Sequence, residues 1–406
     1  MKNVVDIFLV LLLIFFICIV FSGSVHAEEM RIFVDDVDRE IVLPVDIHAV
    51  SPSGPLAQIV LYSLDPDLFT SVSSPFDSIA MKYIDSRLLL LPVTGQFYCS
   101  KASSMNAESI MELDKKLHID VVLDIGEVKE TVRPDLDSFQ SKTNVAFAFI
   151  TQNKLSDISG SYLKLGELFN RKELGERLAH YLSLLLSEFD MGMQTIGNCK
   201  KSLIYVTAVN GNSVSLVGNH SYHAEVIDFV GNNIVAPMIS SSGTGDGYTM
   251  EDILQMDPEF IIVSYTEDHA YYKKIMGDLM WRSLTAVQNG NVYEAPYGPY
   301  NWMGSPPSVH RLLSLIWLGN LMYPDVFDYD LNDRVKEFYS LFFHYNLTDA
   351  ELLDLMIYAK PSTSFIPVPP KTSVSQFSVL VGLVIVVVFL GWKRRRSVLK
   401  KVQSTV

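Results

Sequence analysis

His220, His223 and Glu225 stand close together in the chain, and Asp268 and His269 form a second pair of the same chemistry. Imidazole nitrogens and carboxylate oxygens are donors that a borderline divalent metal accepts. These residues are therefore the candidates for ligating a metal, or the metal of a bound chelate. His220 and His223 carry that reading, because residues 224–230 have a helical pattern on which His223 and Glu225 project in different directions. The alternative is a polar loop that caps this helix.

Two further carboxylates lead two copies of one pattern. Asn106-Ala107-Glu108-Ser109-Ile110 runs through Leu113-Asp114 to Val121-Val122-Leu123, and Met250-Glu251-Asp252-Ile253 runs through Met256-Asp257-Pro258 to residues 260–263. Each copy reads as a short helix, with a glutamate at the end its dipole makes positive, followed by a buried strand. Recurrence of the unit in both halves predicts two lobes with a cleft between them. No G-x-S-x-G turn, H-E-x-x-H pair or phosphate-cradling glycine loop supports an enzyme reading.

The elements that must hold these residues follow from hydrophobic spacing. Residues 28–154 read as a first α/β lobe with a largely parallel sheet, its apolar runs at 47–50, 121–125 and 145–150 separated by helical patterns. Residues 155–197 lack strand signals, and Leu174, Leu178, Tyr181, Leu185, Phe189 and Met193 recur at helical spacing. A helix of about 25 residues from Arg171 onward would be about 37 Å long, enough to join two lobes as a stiff spine. Residues 198–356 repeat the logic of the first lobe. The predicted fold is two Rossmann-like lobes joined by one long spine helix.

Both ends differ from this body. Residues 7–21 are an unbroken apolar run after Met1-Lys2-Asn3, and Val25-His26-Ala27 supplies small residues, so residues 1–27 read as a signal peptide. Residues 357–376 read as a Pro/Ser/Thr stalk and 377–392 as a transmembrane helix, somewhat shorter than the roughly 20 residues a span needs. Lys393-Arg394-Arg395-Arg396 opens a basic tail, 393–406, that marks the cytoplasmic side. The body would then lie on the extracytoplasmic face. This tail resembles archaeal surface-sorting signals, with Ser375-Gln376-Phe377 where those carry a Pro-Gly-Phe-like motif.

The formal net charge is −14, and the basic tail leaves the body more acidic still. That excludes a nucleic-acid footprint. Cys99 and Cys199 remain after signal removal, too few for a disulfide framework, and two buried free thiols are the expectation, pairing being the alternative. Asn219 and Asn346 match the glycosylation acceptor pattern.

Four motifs in order carry a family likeness: Val37-Asp38-Arg39-Glu40-Ile41-Val42-Leu43-Pro44; Asn106-x-Glu108-x-Ile110; the segment Glu251 to Pro258; and Trp281-x-x-Leu284-x-Ala286-Val287-x-Asn289-Gly290-x-Val292-Tyr293. Asn301-Trp302, Pro306-Pro307-Ser308, Trp317-Leu318 and Tyr323-Pro324 extend it. Over residues 31–356 the chain resembles the substrate-binding proteins of ABC importers for iron chelates and corrinoids. The resemblance implies two lobes on one rigid helix, small lobe movement on binding, and partnership with a permease and an ATPase. It also implies that Glu108 and Glu251 meet arginines of the permease, where two carboxylates at a fixed separation select one docked orientation.

In such a fold the ligand lies where strand ends of both lobes face each other. The first-lobe candidates are Ser53, Gly54, Gln96, Tyr98 and Glu127; those of the second lobe are His220, Tyr222, His223, Tyr248, Tyr265, Tyr300 and Trp302. The aromatic residues offer flat faces with a polar edge, suited to a large chelate or macrocycle. The expected function is capture of an iron(III) chelate of the siderophore or haem class, with no cofactor of the protein's own. A corrinoid such as cobalamin is the alternative cargo. A surface-anchored protein without a transport role, or a chelatase-like enzyme on the same fold, is the alternative of another class.

Overall fold

The apolar runs become two separate sheets in the computed structural model, which describes residues 29–97, 104–239, 245–304 and 306–361. An antiparallel hairpin, β1 (Met30–Val34) and β2 (Glu40–Pro44), opens the chain. β3 (Val50–Pro52), β4 (Val121–Gly126) and β5 (Phe147–Thr151) then form a parallel sheet in that order. Val121, Val122, Leu123, Phe147 and Ala148 are fully buried, as parallel strands covered on both faces require.

The second sheet contains β6 (Ser202–Asn210), β7 (Ser213–Leu216), β8 (Asn232–Asn233), β9 (Asp246–Thr249), β10 (Phe260–Val263) and β11 (Val292–Glu294). Its order is β11-β10-β6-β7-β9, with β8 also pairing β6. β10 and β11 run parallel to β6, but β7 pairs antiparallel with β6 and β9 antiparallel with β7. The second lobe is thus less a copy of the first than the sequence suggests. The two-residue turn Gly211-Asn212 explains the departure: Gly211 takes φ +59°, which lets the chain reverse tightly into a hairpin there.

The repeated unit holds equivalent places. β4 lies between β3 and β5, and β10 lies between β6 and β11. Its helices, Ala107–Leu117 and Met250–Met256, start on side-chain caps. Asn106 accepts from the Glu108 amide at 2.9 Å, and Thr249 and Asp252 form a reciprocal capping box.

Between the lobes, helix Leu155–Leu168 turns at Asn170 into the 25-residue helix Lys172–Ile196. The two pack closely because both carry glycine at the crossing. A Cβ on Gly175 would stand 2.6 Å from the Tyr162 carbonyl oxygen and 2.8 Å from the Gly166 Cα. The spine region is therefore a helical hairpin whose second arm is the long helix.

The last helices, Arg311–Met322, Leu331–Phe342 and Asp349–Leu355, return toward the first lobe. Tyr339 and Tyr345 pack edge-on against Tyr83, and one hydrophobic core runs from Phe33 through the first-lobe helix Pro55–Leu64 to Phe342 and Ala359. Residues 357–361, where the sequence suggests the stalk begins, still pack on the body: Trp317 Nε1 donates to the Ala359 carbonyl at 2.7 Å. Cys199 is exposed rather than buried, because it lies in the turn after the long helix. Among the described residues no helix is long and apolar enough to cross a membrane. The expected signal peptide, transmembrane helix and basic tail lie outside the described residues, as do Tyr98 and Cys99.

Candidate functional site

β3 ends at Pro52 and β4 at Gly126, and the turns that follow leave Ser53, Gly54 and Glu127 on one wall of an inter-lobe cleft of about 1130 Å³. The facing wall is the second-lobe loop His220 to His223, with Glu225, Asp228, Phe229, Pro306 and Pro307. Strand ends and loops of both lobes thus meet at one cavity, the usual place for a ligand in α/β architecture.

Phe97, Phe149, Phe229 and Tyr222 give the cleft flat apolar surface. Its first-lobe floor holds a buried carboxylate. Asp124 interrupts the apolar strand β4, is 7% exposed, and accepts a hydrogen bond from Ser53 Oγ. Burial pushes its carboxyl up to about 6, opposed by the hydrogen bonds from Ser53 and from the Ile125 main chain. Lys129, paired with Glu127 at 3.4 Å, and Lys154 bring positive charge to the cleft.

The histidine loop is set by Asp228, which accepts from the His220 amide at 2.7 Å while His220 holds φ +58°. His223 is half-buried. Burial pushes its imidazole below the ordinary value, the Gly304 main chain opposes this, and the Arg311 charge adds to it. A neutral imidazole is the form that ligates metal.

Behind this wall, Arg311 Nη1 donates to Glu225 Oε2 at 2.5 Å and the guanidinium carbon lies 5.5 Å from the centre of the Tyr222 ring. Glu225 also accepts from the Leu155 amide at 2.9 Å. Next to Arg311, His310 is fully buried, and burial together with the Arg311 charge pushes it down to about 3.

Of the sequence candidates, Ser53, Gly54, Glu127, His220, Tyr222 and His223 line the cleft. Gln96 does not; its main chain bonds to Ser104 and Met105 beside the lining residue Phe97. Tyr248 is on β9 and packs against the second-lobe core. Tyr265 stacks on Tyr297 at 5.2 Å and borders a separate small pocket of about 90 Å³. Tyr300 packs on His310 and Phe343, and Trp302 is fully buried beside Tyr339. Gln96, Tyr248, Tyr265, Tyr300 and Trp302 thus lie off the cleft that the sequence assigns them to, and the last two share one cause: the Trp302 amide donates to the Pro296 carbonyl at 3.1 Å, turning the aromatic segment inward.

The wider metal set also separates. Glu225 is engaged by Arg311, and His269 Nδ1 lies 2.5 Å from Glu294 Oε2 at the small pocket. Among the described residues no group of three or more His, Cys, Asp or Glu side chains is placed to hold a metal. Asp124, Asn153, Lys154, Phe149 and Phe229 join the cleft without having been indicated by pattern. Asp124 alone had a signal, as a carboxylate inside a buried strand.

The periplasmic binding protein family matches residues 120–297, which run from the central strand of the first sheet past β11 and include Glu127 from one wall of the cleft and His220 to His223 from the other. This region of the chain belongs to the periplasmic binding protein family. A solved ABC transporter solute binding protein from Sulfurospirillum deleyianum is similar to it at a TM-score of 0.70 and 25% identity, covering 80% of this chain and 99% of that one. A periplasmic solute binding protein from Veillonella parvula has the same fold, at a TM-score of 0.64 and 22% identity, over 82% of this chain and 98% of its own. Among curated proteins, the high-affinity heme uptake system protein IsdE of Staphylococcus aureus is 24% identical over 227 residues, 54% of this chain and 73% of its own length. The family region contains Glu127, His220, Tyr222 and His223 but ends before Pro306 and Arg311.

Proposed function

We propose that this protein is the extracytoplasmic cargo-binding component of an ABC importer, and that its cargo is an iron(III) chelate of the haem or siderophore class. The cleft carries the reading. Its volume of about 1130 Å³ lies at the top of the range of small-molecule pockets and far exceeds the need of a bare ion. Aromatic faces from both lobes, set among polar and charged side chains, suit a large, partly apolar chelate that also carries polar groups. A relative named for heme uptake supports the same cargo class.

In this reading the metal arrives with its own ligands, and His223 or His220 completes its coordination from the second lobe. Glu108 and Glu251 dock the permease. Each stands exposed in the first turn of its helix, and neither forms an ion pair among the described residues.

The test is competitive binding of haem, ferric siderophores, cobalamin and free ferric ion to the purified protein, with absorbance spectra of wild type and of the His220→Ala/His223→Ala double variant. Tightest binding of a ferric chelate, with a spectrum altered in the double variant, is expected. Preference for cobalamin would move the cargo to the corrinoids, and capture of none of the four would remove the transport reading. An unaltered spectrum would remove the histidine ligation.

A further inference from the structure

Arg311 is the first residue of the 12-residue helix Arg311–Met322, which has neither an acidic residue in its first turn nor a side-chain cap. A guanidinium at the positive end of a helix dipole is unfavourable unless an anion stands there. Glu225 satisfies Nη1. Nε and Nη2 have no hydrogen-bonding partner among the described residues, although the side chain is only 2% exposed. Buried polar groups are nearly always paired, and a buried N–H of a cation without a partner is costly.

The two free nitrogens are not an arbitrary pair. Nε–H and Nη2–H form one edge of the guanidinium, two parallel donors that match a carboxylate's two oxygens. The cleft is one side chain away, since Tyr222 and Glu225, the residues that Arg311 touches, both line it. Gly304, at φ +84°, packs on the stem of Arg311, where a Cβ would stand 2.6 Å from Cγ.

We propose that the free edge of Arg311, with the N-terminus of its helix, is a binding site for a carboxylate carried by the cargo, reached past Tyr222 at the second-lobe wall. The inference rests on the cargo reading above and narrows it to chelates that bear a free carboxylate. Glu225 keeps its own nitrogen and holds the fork in place while the cargo takes the open edge.

Two measurements test it. In the first, formate is titrated into the labelled protein and the Arg311 Nε–H resonance, assigned by its loss in Arg311→Lys, is followed by NMR. In the second, ferric protoporphyrin IX and its dimethyl ester, which lacks both free carboxylates, are compared for affinity. A saturable shift with formate is expected, with the ester binding about tenfold more weakly than the acid and the difference collapsing in Arg311→Lys. The formate titration and the acid-to-ester comparison are made on wild type, so they stand even where the variant folds poorly. A resonance unmoved by formate overturns the anion site whatever the cargo. Equal affinity for acid and ester overturns the role of a cargo carboxylate. A formate shift with neither porphyrin bound supports the anion site and overturns the haem-class cargo instead.

Discussion

Tyr62, on a first-lobe helix, donates its phenol proton to the main-chain oxygen of Phe343 at 3.1 Å, and its own carbonyl lies 3.0 Å from Nε2 of His344. These contacts span more than 280 residues of sequence and fasten the C-terminal helices to the first lobe. Tyr297 adds another tie by donating to Asp77. The lobes are therefore joined at the spine and again at these contacts, which resists hinge opening. Cargo binding should change the radius of gyration by less than about 1 Å in X-ray scattering. A compaction of several ångströms would show that these ties break in solution.

Asp124 predicts a pH signature. Its folded-state value of about 6 lies above the ordinary carboxylate value near 4. Below both values the group is protonated in both states, and burial costs nothing in charge. As pH rises between them the unfolded chain releases the proton first, so stability falls, and the full loss persists above the folded value. Asp124→Asn should therefore exceed wild type by about 3 kcal/mol in denaturant unfolding at pH 8 and approach it near pH 3. A difference that does not vary with pH would place the effect elsewhere.

Glu108 and Glu251 are exposed on helices that precede interior strands of the two sheets, β4 and β10, and neither lines the cleft. Charge reversal of both to Lys should abolish uptake by the intact importer while leaving cargo affinity unchanged. Normal uptake by the double variant would exclude them from docking, and lost affinity would assign them to the cargo side.

Two glycines of the spine hairpin should respond in opposite directions. Gly175→Ala puts a Cβ 2.6 Å from main-chain oxygen of the neighbouring helix and should cost about 1–3 kcal/mol. Gly160, exposed in helix Leu155–Leu168, has nothing within 4 Å of an added Cβ, so Gly160→Ala should stabilise by about 0.5–1 kcal/mol. Thermal unfolding of the two variants separates close packing from helix propensity.

What the sequence reveals and what it hides divide along physical lines. The paired strand units and the 25-residue helix are periodic, and periodicity survives in one dimension. The hairpin at Gly211-Asn212 is also written in the chain, in two turn residues rather than in a period. The cleft is a different matter, because aromatic residue type does not report direction. Tyr222 faces the cavity, whereas Trp302 and Tyr300 turn into the core on a main-chain hydrogen bond that no pattern encodes. Arg311 looks like an ordinary helix-start cation until its burial and unpaired edge are seen.

In the proposed function the inter-lobe cleft itself captures the ferric chelate. Asn153 lines that cleft, and its main-chain amide, not its side chain, is what bonds to Asp157. The decisive measurement is an absorbance titration of ferric protoporphyrin IX into wild type and Asn153→Trp, whose indole would occupy cavity space. The account predicts saturable one-to-one binding with a shifted Soret band in wild type and its loss in the variant. Equal binding by both proteins, or no saturable binding by wild type, would contradict it.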